Sequence, residues 1–171
     1  RLGSITPAVG STNSIVVDNF GKRYEAETKV TDNPSRYFFY KAAVQFDIST
    51  LSYPRTPSWM IFDEKLRASK PLVGLGISVV GYGMVDWDKD NLKAIESGLI
   101  LKADTIEELC RQVKLPVEKV VKTIKEYNEA VKSGKLGEMN PPCTYKKPHE
   151  VAKAPFYAVP FQGGMTATFG G

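Results

Sequence analysis

Residues 99–134, LILKADTIEELCRQVKLPVEKVVKTIKEYNEAVKSG, are the stretch on which the reading of the fold turns. Leu99-Ile100-Leu101-Lys102-Ala103 is a short apolar run with the look of a strand, and Asp104 stops it. Thr105 is followed three residues later by Glu108. At that spacing a hydroxyl and a carboxylate satisfy the free amides of a starting helix, so a first helix is expected over residues 105–113. Pro116 then restarts the chain at the first turn of a second helix, where its missing amide breaks no bond. Along that helix Val117, Val120, Val121, Ile124, Tyr127 and Val131 recur at helical spacing and make one apolar stripe, while Lys119, Lys122, Lys125, Glu126 and Lys132 take the other faces. Gly134 is a natural stop, because glycine turns left-handed without strain. The local signals agree with one another, as they do in a segment that folds well.

The chain has 171 residues, 42% hydrophobic and 25% charged, which suits a soluble globular domain with room for a core. No apolar run approaches the ~18 residues that cross a bilayer, and the first residues do not have the pattern of a signal peptide. Arg1 at one end and Gly170-Gly171 at the other read as cut ends, so a piece of a longer polypeptide is expected. The 23 Lys and Arg against 19 Asp and Glu leave a net charge of +4, and the lysines are scattered over helix surfaces, which argues against a nucleic-acid partner. Cys110 and Cys143 lack metal-ligand spacing and are too few for a disulfide framework, which points to a reducing, cytoplasmic setting. His149, the single histidine, reads as solvated within Lys147-Pro148-His149-Glu150. One histidine makes neither a His-based metal site nor a hydrolytic triad, and no metal is expected.

Around the 99–134 stretch, residues 1–13 read as an extended lead-in rich in Gly, Ser, Thr and Pro. Ser14-Ile15-Val16-Val17-Asp18 reads as a strand, Asn19-Phe20-Gly21 as a turn and Lys22-Arg23-Tyr24-Glu25 as the returning strand of a hairpin. Asn33-Pro34-Ser35 offers a cap and a first-turn proline for a helix over residues 34–46 that carries Arg36, Tyr37, Phe38, Phe39 and Tyr40. One helix face cannot bury so many rings, so some of them should meet another surface. After Tyr53-Pro54-Arg55-Thr56-Pro57, the segment Ser58-Trp59-Met60-Ile61-Phe62-Asp63 reads as a buried strand and residues 64–69 as a short helical turn. Residues 71–85 hold Gly74, Gly76, Gly81 and Gly83 but lack the third glycine of a dinucleotide fingerprint, and they read as a loop. Asp90 is expected to cap a short helix ended by Gly98, and residues 135–154 to be loop-like. Pro155-Phe156-Tyr157-Ala158-Val159-Pro160-Phe161 is extended and apolar, and it runs into Gly163, Gly164, Thr166, Thr168, Gly170 and Gly171, where another group can approach the backbone closely.

Several of these pieces, in this order, resemble flavoproteins of the fumarate reductase and succinate dehydrogenase superfamily. Ile15-Val16-Val17-Asp18 to Gly21-Lys22-Arg23-Tyr24 with Glu27 resembles that family's strand, Gly-Lys-Arg-aromatic turn and downstream glutamate. Trp59-Met60-Ile61-Phe62-Asp63 looks like its buried strand ending in aspartate. Lys102-Ala103-Asp104-Thr105-Ile106-Glu107-Glu108-Leu109 with Ile124-Lys125-Glu126-Tyr127-Asn128, and Pro155 to Val159 leading to Thr168-Phe169-Gly170-Gly171, are similar to recurrent family stretches. Fumarate reductases of the family carry a proton-donating arginine a few residues beyond the glutamate and a His-His pair before Thr-x-Gly-Gly; here those positions read Thr31 and Thr166-Ala167, which speaks against fumarate reduction itself. The Tyr53 to Trp59 approach and the aromatic helix look closer to the ketosteroid dehydrogenase branch.

The resemblance implies an α+β fold, a small mixed sheet with packed helices, serving as a capping domain over FAD that a separate Rossmann-like domain holds. Residues 1–13 would then lead in from that domain, 14–153 would form the capping or substrate domain, and 154–171 would be an arm returning to the flavin side. FAD would be bound in the full-length protein and not by this piece; the partners would be a small-molecule substrate and the FAD-binding domain of the same chain. The implied chemistry is removal or addition of two hydrogens across a carbon–carbon bond beside a carbonyl, one as hydride to or from the flavin and one as a proton. Tyr37 and Tyr40 are the candidate catalytic residues, as proton acceptor. Arg36, Gly163, Gly164 and Thr166 are the candidate substrate-binding residues, a backbone amide near Gly163 or Gly164 polarising the carbonyl. Thr168, Gly170 and Gly171 are the candidates to face FAD. Arg23 and Glu27 read as a structural pair. The alternative is a non-catalytic α+β interaction module whose exposed aromatics dock a partner protein.

Overall fold

The computed structural model describes residues 14–30, 36–72 and 87–161. What the sequence suggests for residues 1–13, 31–35, 73–86 and 162–171 lies outside them: the lead-in, the Asn33-Pro34 cap, the glycine-rich loop and the end of the closing arm. Four strands, β1 (Ile15–Val17), β2 (Ser58–Asp63), β3 (Leu101–Ala103) and β4 (Phe156–Phe161), pair in the order β1-β2-β4-β3. The expectation of a mixed sheet is corrected: each of the pairings is antiparallel, because β4 slots between β2 and β3 and runs against both. The start of the segment read as a returning arm is therefore an interior strand of this sheet. One register row, Ile15, Ile61, Ala158 and Leu101, crosses all four strands.

Alternate residues point to opposite faces, and both faces are covered. Ile15, Val17, Ile61 and Ala158 pack with Leu109, Val120, Ile124 and Tyr127 of two helices that are numbered α4 (Ile106–Gln112) and α5 (Val117–Ser133) in chain order. Val16, Met60, Phe62, Val159 and Phe161 meet Phe39, Leu66 and Ala94 on α1 (Arg36–Ala43), α2 (Glu64–Arg67) and α3 (Leu92–Glu96). Burial on both sides is why β1, β2 and β4 read as near-continuous apolar runs instead of alternating ones. A fully buried side chain of this size contributes about 1.5–3 kcal/mol over its exposed state, and Met60, Phe62 and Tyr127 are all fully buried.

Residues 99–134 form what their sequence dictates. Thr105 Oγ1 accepts the Glu108 amide at 3.2 Å and starts α4. Gly134, at φ 72°, ends α5, and the Lys135 amide closes back onto the Ala130 carbonyl at 2.9 Å. Pro116 stands one place earlier than expected, at the extended cap position of α5.

Elsewhere tertiary contacts override local signals. Residues 22–25 do not return as a strand. Asp18 Oδ1 accepts the amides of Phe20 at 2.9 Å and Lys22 at 3.0 Å, and Thr123 of α5 donates its hydroxyl to the Gly21 carbonyl at 2.7 Å, so the turn is pulled towards the helix. β1 takes β2 as its partner instead. α1 ends at Ala43, short of the expected Phe46, where Arg55 Nη1 donates to the Ala42 carbonyl at 2.9 Å and Thr56 Oγ1 to that of Ala43 at 3.2 Å. Asp90 does not cap α3; Asn91 holds that position in a left-handed conformation, φ 61°, and uses its side chain elsewhere. Its Oδ1 accepts the Leu72 amide and the Trp87 indole N–H, both at 2.8 Å, and its Nδ2 donates to the carbonyls of Arg67 and Lys70 at 2.8 and 2.9 Å.

Candidate functional site

α1 is the element that carries the sequence-predicted tyrosines, and Phe39 fixes where it lies. The Phe39 ring is buried between Tyr24, centroid 5.5 Å away, and Phe161, met edge-on at 5.5 Å. Helix α1 is thereby held at the end of β4, two residues before Gly163. The structure thus places Arg36, Tyr37 and Tyr40 on an element that adjoins the point from which Gly163, Gly164, Thr166, Thr168, Gly170 and Gly171 follow, although those last six lie outside the described residues. Tyr40 is exposed.

Tyr40 is one of several exposed apolar side chains in this part of the chain. Phe38, Tyr40, Phe46, Ile48, Leu51 and Tyr53, all on α1 or the loop that follows, are exposed. The excess of rings noted in the sequence is divided accordingly: Phe39 enters the core, Phe38 and Tyr40 do not. Sequence reading missed the loop of residues 46–53 as part of this face; its signal was the spacing of Phe46, Ile48, Leu51 and Tyr53 in a stretch with neither strand nor helix periodicity.

The family-like motif residues outside α1 build the frame. Arg23 and Glu27 form a buried bidentate pair, Nε to Oε1 at 2.8 Å and Nη2 to Oε2 at 2.6 Å. Glu27 Oε1 also accepts the Val16 amide at 3.2 Å, and Arg23 Nη1 donates to the Pro141 carbonyl at 2.8 Å, so the pair joins β1 to the loop after α5. Burial works against the Arg23 charge, but the bonds to Glu27 outweigh it and raise its pKa. Asp63 is buried at the end of β2, where Oδ1 accepts the Leu66 amide at 3.2 Å and Oδ2 the amides of Ala152 and Lys153 at 3.2 and 3.0 Å. His149, expected in solvent, is partly buried with Nε2 3.9 Å from Asp63; burial and then Lys65 lower its pKa. Glu64 accepts from Arg67 and from the Tyr157 hydroxyl at 2.6 Å, and the Arg67 bonds bring it down to about 2.

On the other face of the sheet a shallow, open concavity of about 250 Å³ lies among Asp104, Ile106, Glu107, Val121, Ile124 and Phe156. It is smaller than the ~300 Å³ at which ligand pockets begin. Among the described residues no group of three or more His, Cys, Asp or Glu side chains is placed to hold a metal ion, and no helix is long and apolar enough to cross a membrane.

No family model matches the chain. It is 31% identical over 159 residues to an NADH:acrylate oxidoreductase of Vibrio harveyi, 28% over 174 residues to a 3-oxosteroid 1-dehydrogenase of Mycolicibacterium smegmatis, and 26% over 170 residues to a probable fumarate reductase of Shewanella frigidimarina. These matches take in 93, 94 and 98% of this chain but only 13, 28 and 23% of the relatives. In fold it is similar to a 3-ketosteroid Δ1-dehydrogenase of Sterolibacterium denitrificans, with a TM-score of 0.66 at 21% identity over 97% of this chain and 29% of that one. The open form of a flavocytochrome c3 fumarate reductase gives 0.58 at 21% identity over 93% of this chain and 22% of that one. A solution structure of a fumarate reductase flavoprotein subunit from Lactobacillus plantarum gives 0.61 at 15% identity, covering 92% of this chain and 88% of that one. The sequence matches span nearly the whole of this chain, and the chain belongs to the flavoprotein family of the fumarate reductases and ketosteroid dehydrogenases, covering about an eighth to a quarter of the length of these relatives.

Proposed function

We propose that these residues are the substrate-capping domain of an FAD-dependent oxidoreductase that adds or removes two hydrogens across a carbon–carbon bond beside a carbonyl. The observation that carries the reading is the exposed apolar face of α1 and residues 46–53, next to the end of β4: a surface of this kind on an otherwise well-buried domain fits closure over a bulky, largely apolar substrate. Acrylate, fumarate and 3-oxosteroids, named for the relatives, share a carbon–carbon bond activated by an adjacent carbonyl or carboxyl group. FAD would be held by a separate nucleotide-binding domain, with Thr168, Gly170 and Gly171 as the contribution of this chain.

A bound flavin supplies the hydride acceptor or donor. The cap excludes water from the reacting carbons through Phe38, Phe46 and Tyr53, and it supplies the proton site, Tyr40 or Tyr37 on α1. Backbone amides near Gly163 and Gly164 hold the carbonyl oxygen as negative charge develops on it. Arg36 orients the substrate from the first turn of α1.

The test is made on the full-length protein. It should copurify with FAD, its visible spectrum should bleach or recover on addition of 3-ketosteroids or simpler enones, and Tyr40→Phe or Tyr37→Phe should lower kcat with little change in melting temperature. An upstream reading frame without a strand followed by Gly-x-Gly-x-x-Gly would instead favour the interaction-module reading, for which the same exposed rings are the support.

A further inference from the structure

We draw no further inference here: the strongest candidate, the Tyr24–Ser58–Arg55 side-chain cluster at the start of β2, in which the Tyr24 hydroxyl lies 2.9 Å from Ser58 Oγ and the Arg55 guanidinium 4.8 Å from the Tyr24 ring, carries nothing because it belongs to the contacts already described that hold α1 on the sheet.

Discussion

Phe39 on α1 meets Phe161 on β4 edge to face, ring centroids 5.5 Å apart and planes at 85°. The two residues are far apart in sequence, and their contact sets the candidate tyrosines beside the exit of β4. Phe39→Ala leaves a cavity that α1 cannot close without moving, and a loss of about 3–5 kcal/mol is expected in denaturant unfolding. Phe39→Leu should cost about 1.5 kcal/mol or less, because it keeps most of the volume. Equal midpoints for the alanine variant and the parent would show that α1 is not anchored there.

The Arg23–Glu27 pair is buried, so removing one partner leaves a charge in a low-dielectric site. Arg23→Met should destabilise by about 3–5 kcal/mol. The double change Arg23→Met with Glu27→Leu should recover a good part of that loss, and a double-mutant cycle on unfolding midpoints measures the coupling.

Gly21 and Gly98 are matched in backbone, φ +76° and +74°, but not in space. An added Cβ at Gly21 would sit 3.0 Å from Val120 Cγ2, whereas at Gly98 nothing lies within 4 Å. Gly98→Ala should therefore cost only the left-handed backbone term, about 1–2 kcal/mol. Gly21→Ala should cost more, since α5 must give way, and the difference between the two melting temperatures isolates the packing contribution.

His149 and Glu64 give the stability a dependence on acid, and the signs follow from their shifts. Burial lowers the His149 pKa below its ordinary 6.5, so the unfolded chain binds this proton first and stability declines as pH falls below about 6.5. Glu64, drawn from 4.5 to about 2 by Arg67, contributes stability above pH 4.5 that is lost progressively as pH falls towards 2. Unfolding curves from pH 8 to 2 should show both ranges. His149→Asn should flatten the first and Glu64→Gln the second.

Both cysteines are free and buried, and burial raises Cys110 to about 11 and Cys143 to about 12. A thiol reagent at pH 8 should leave the folded chain unlabelled and react with two thiols once it is denatured. Rapid labelling of the folded chain would mean that one of these sites opens far more readily than its packing implies.

Residues 99–134 and the strand 58–63 could be read from sequence because everything that specifies them is close in sequence: Thr105 for the Glu108 amide, the apolar stripe of α5, Gly134 for its end. The same locality failed at residues 22–25. There the competing force was a hydroxyl on α5, Thr123, reaching the Gly21 carbonyl from a distant part of the chain. Asn91 shows the same limit, since the groups that hold its side chain belong to residues 67–72 and to Trp87.

By itself, then, the sequence determined the identity of most helices and strands and pointed to the family, through capping residues, helical spacing and motif order. Only the tertiary structure decided that β4 lies between β2 and β3, that Arg23 and Glu27 are sealed in the interior, and that Phe39 goes inside while Phe38, Ile48 and Leu51 stay out. The physical reason is that strand order and burial depend on surfaces brought together from far along the chain, and a local pattern of residues records that a side chain is apolar without recording which surface will cover it.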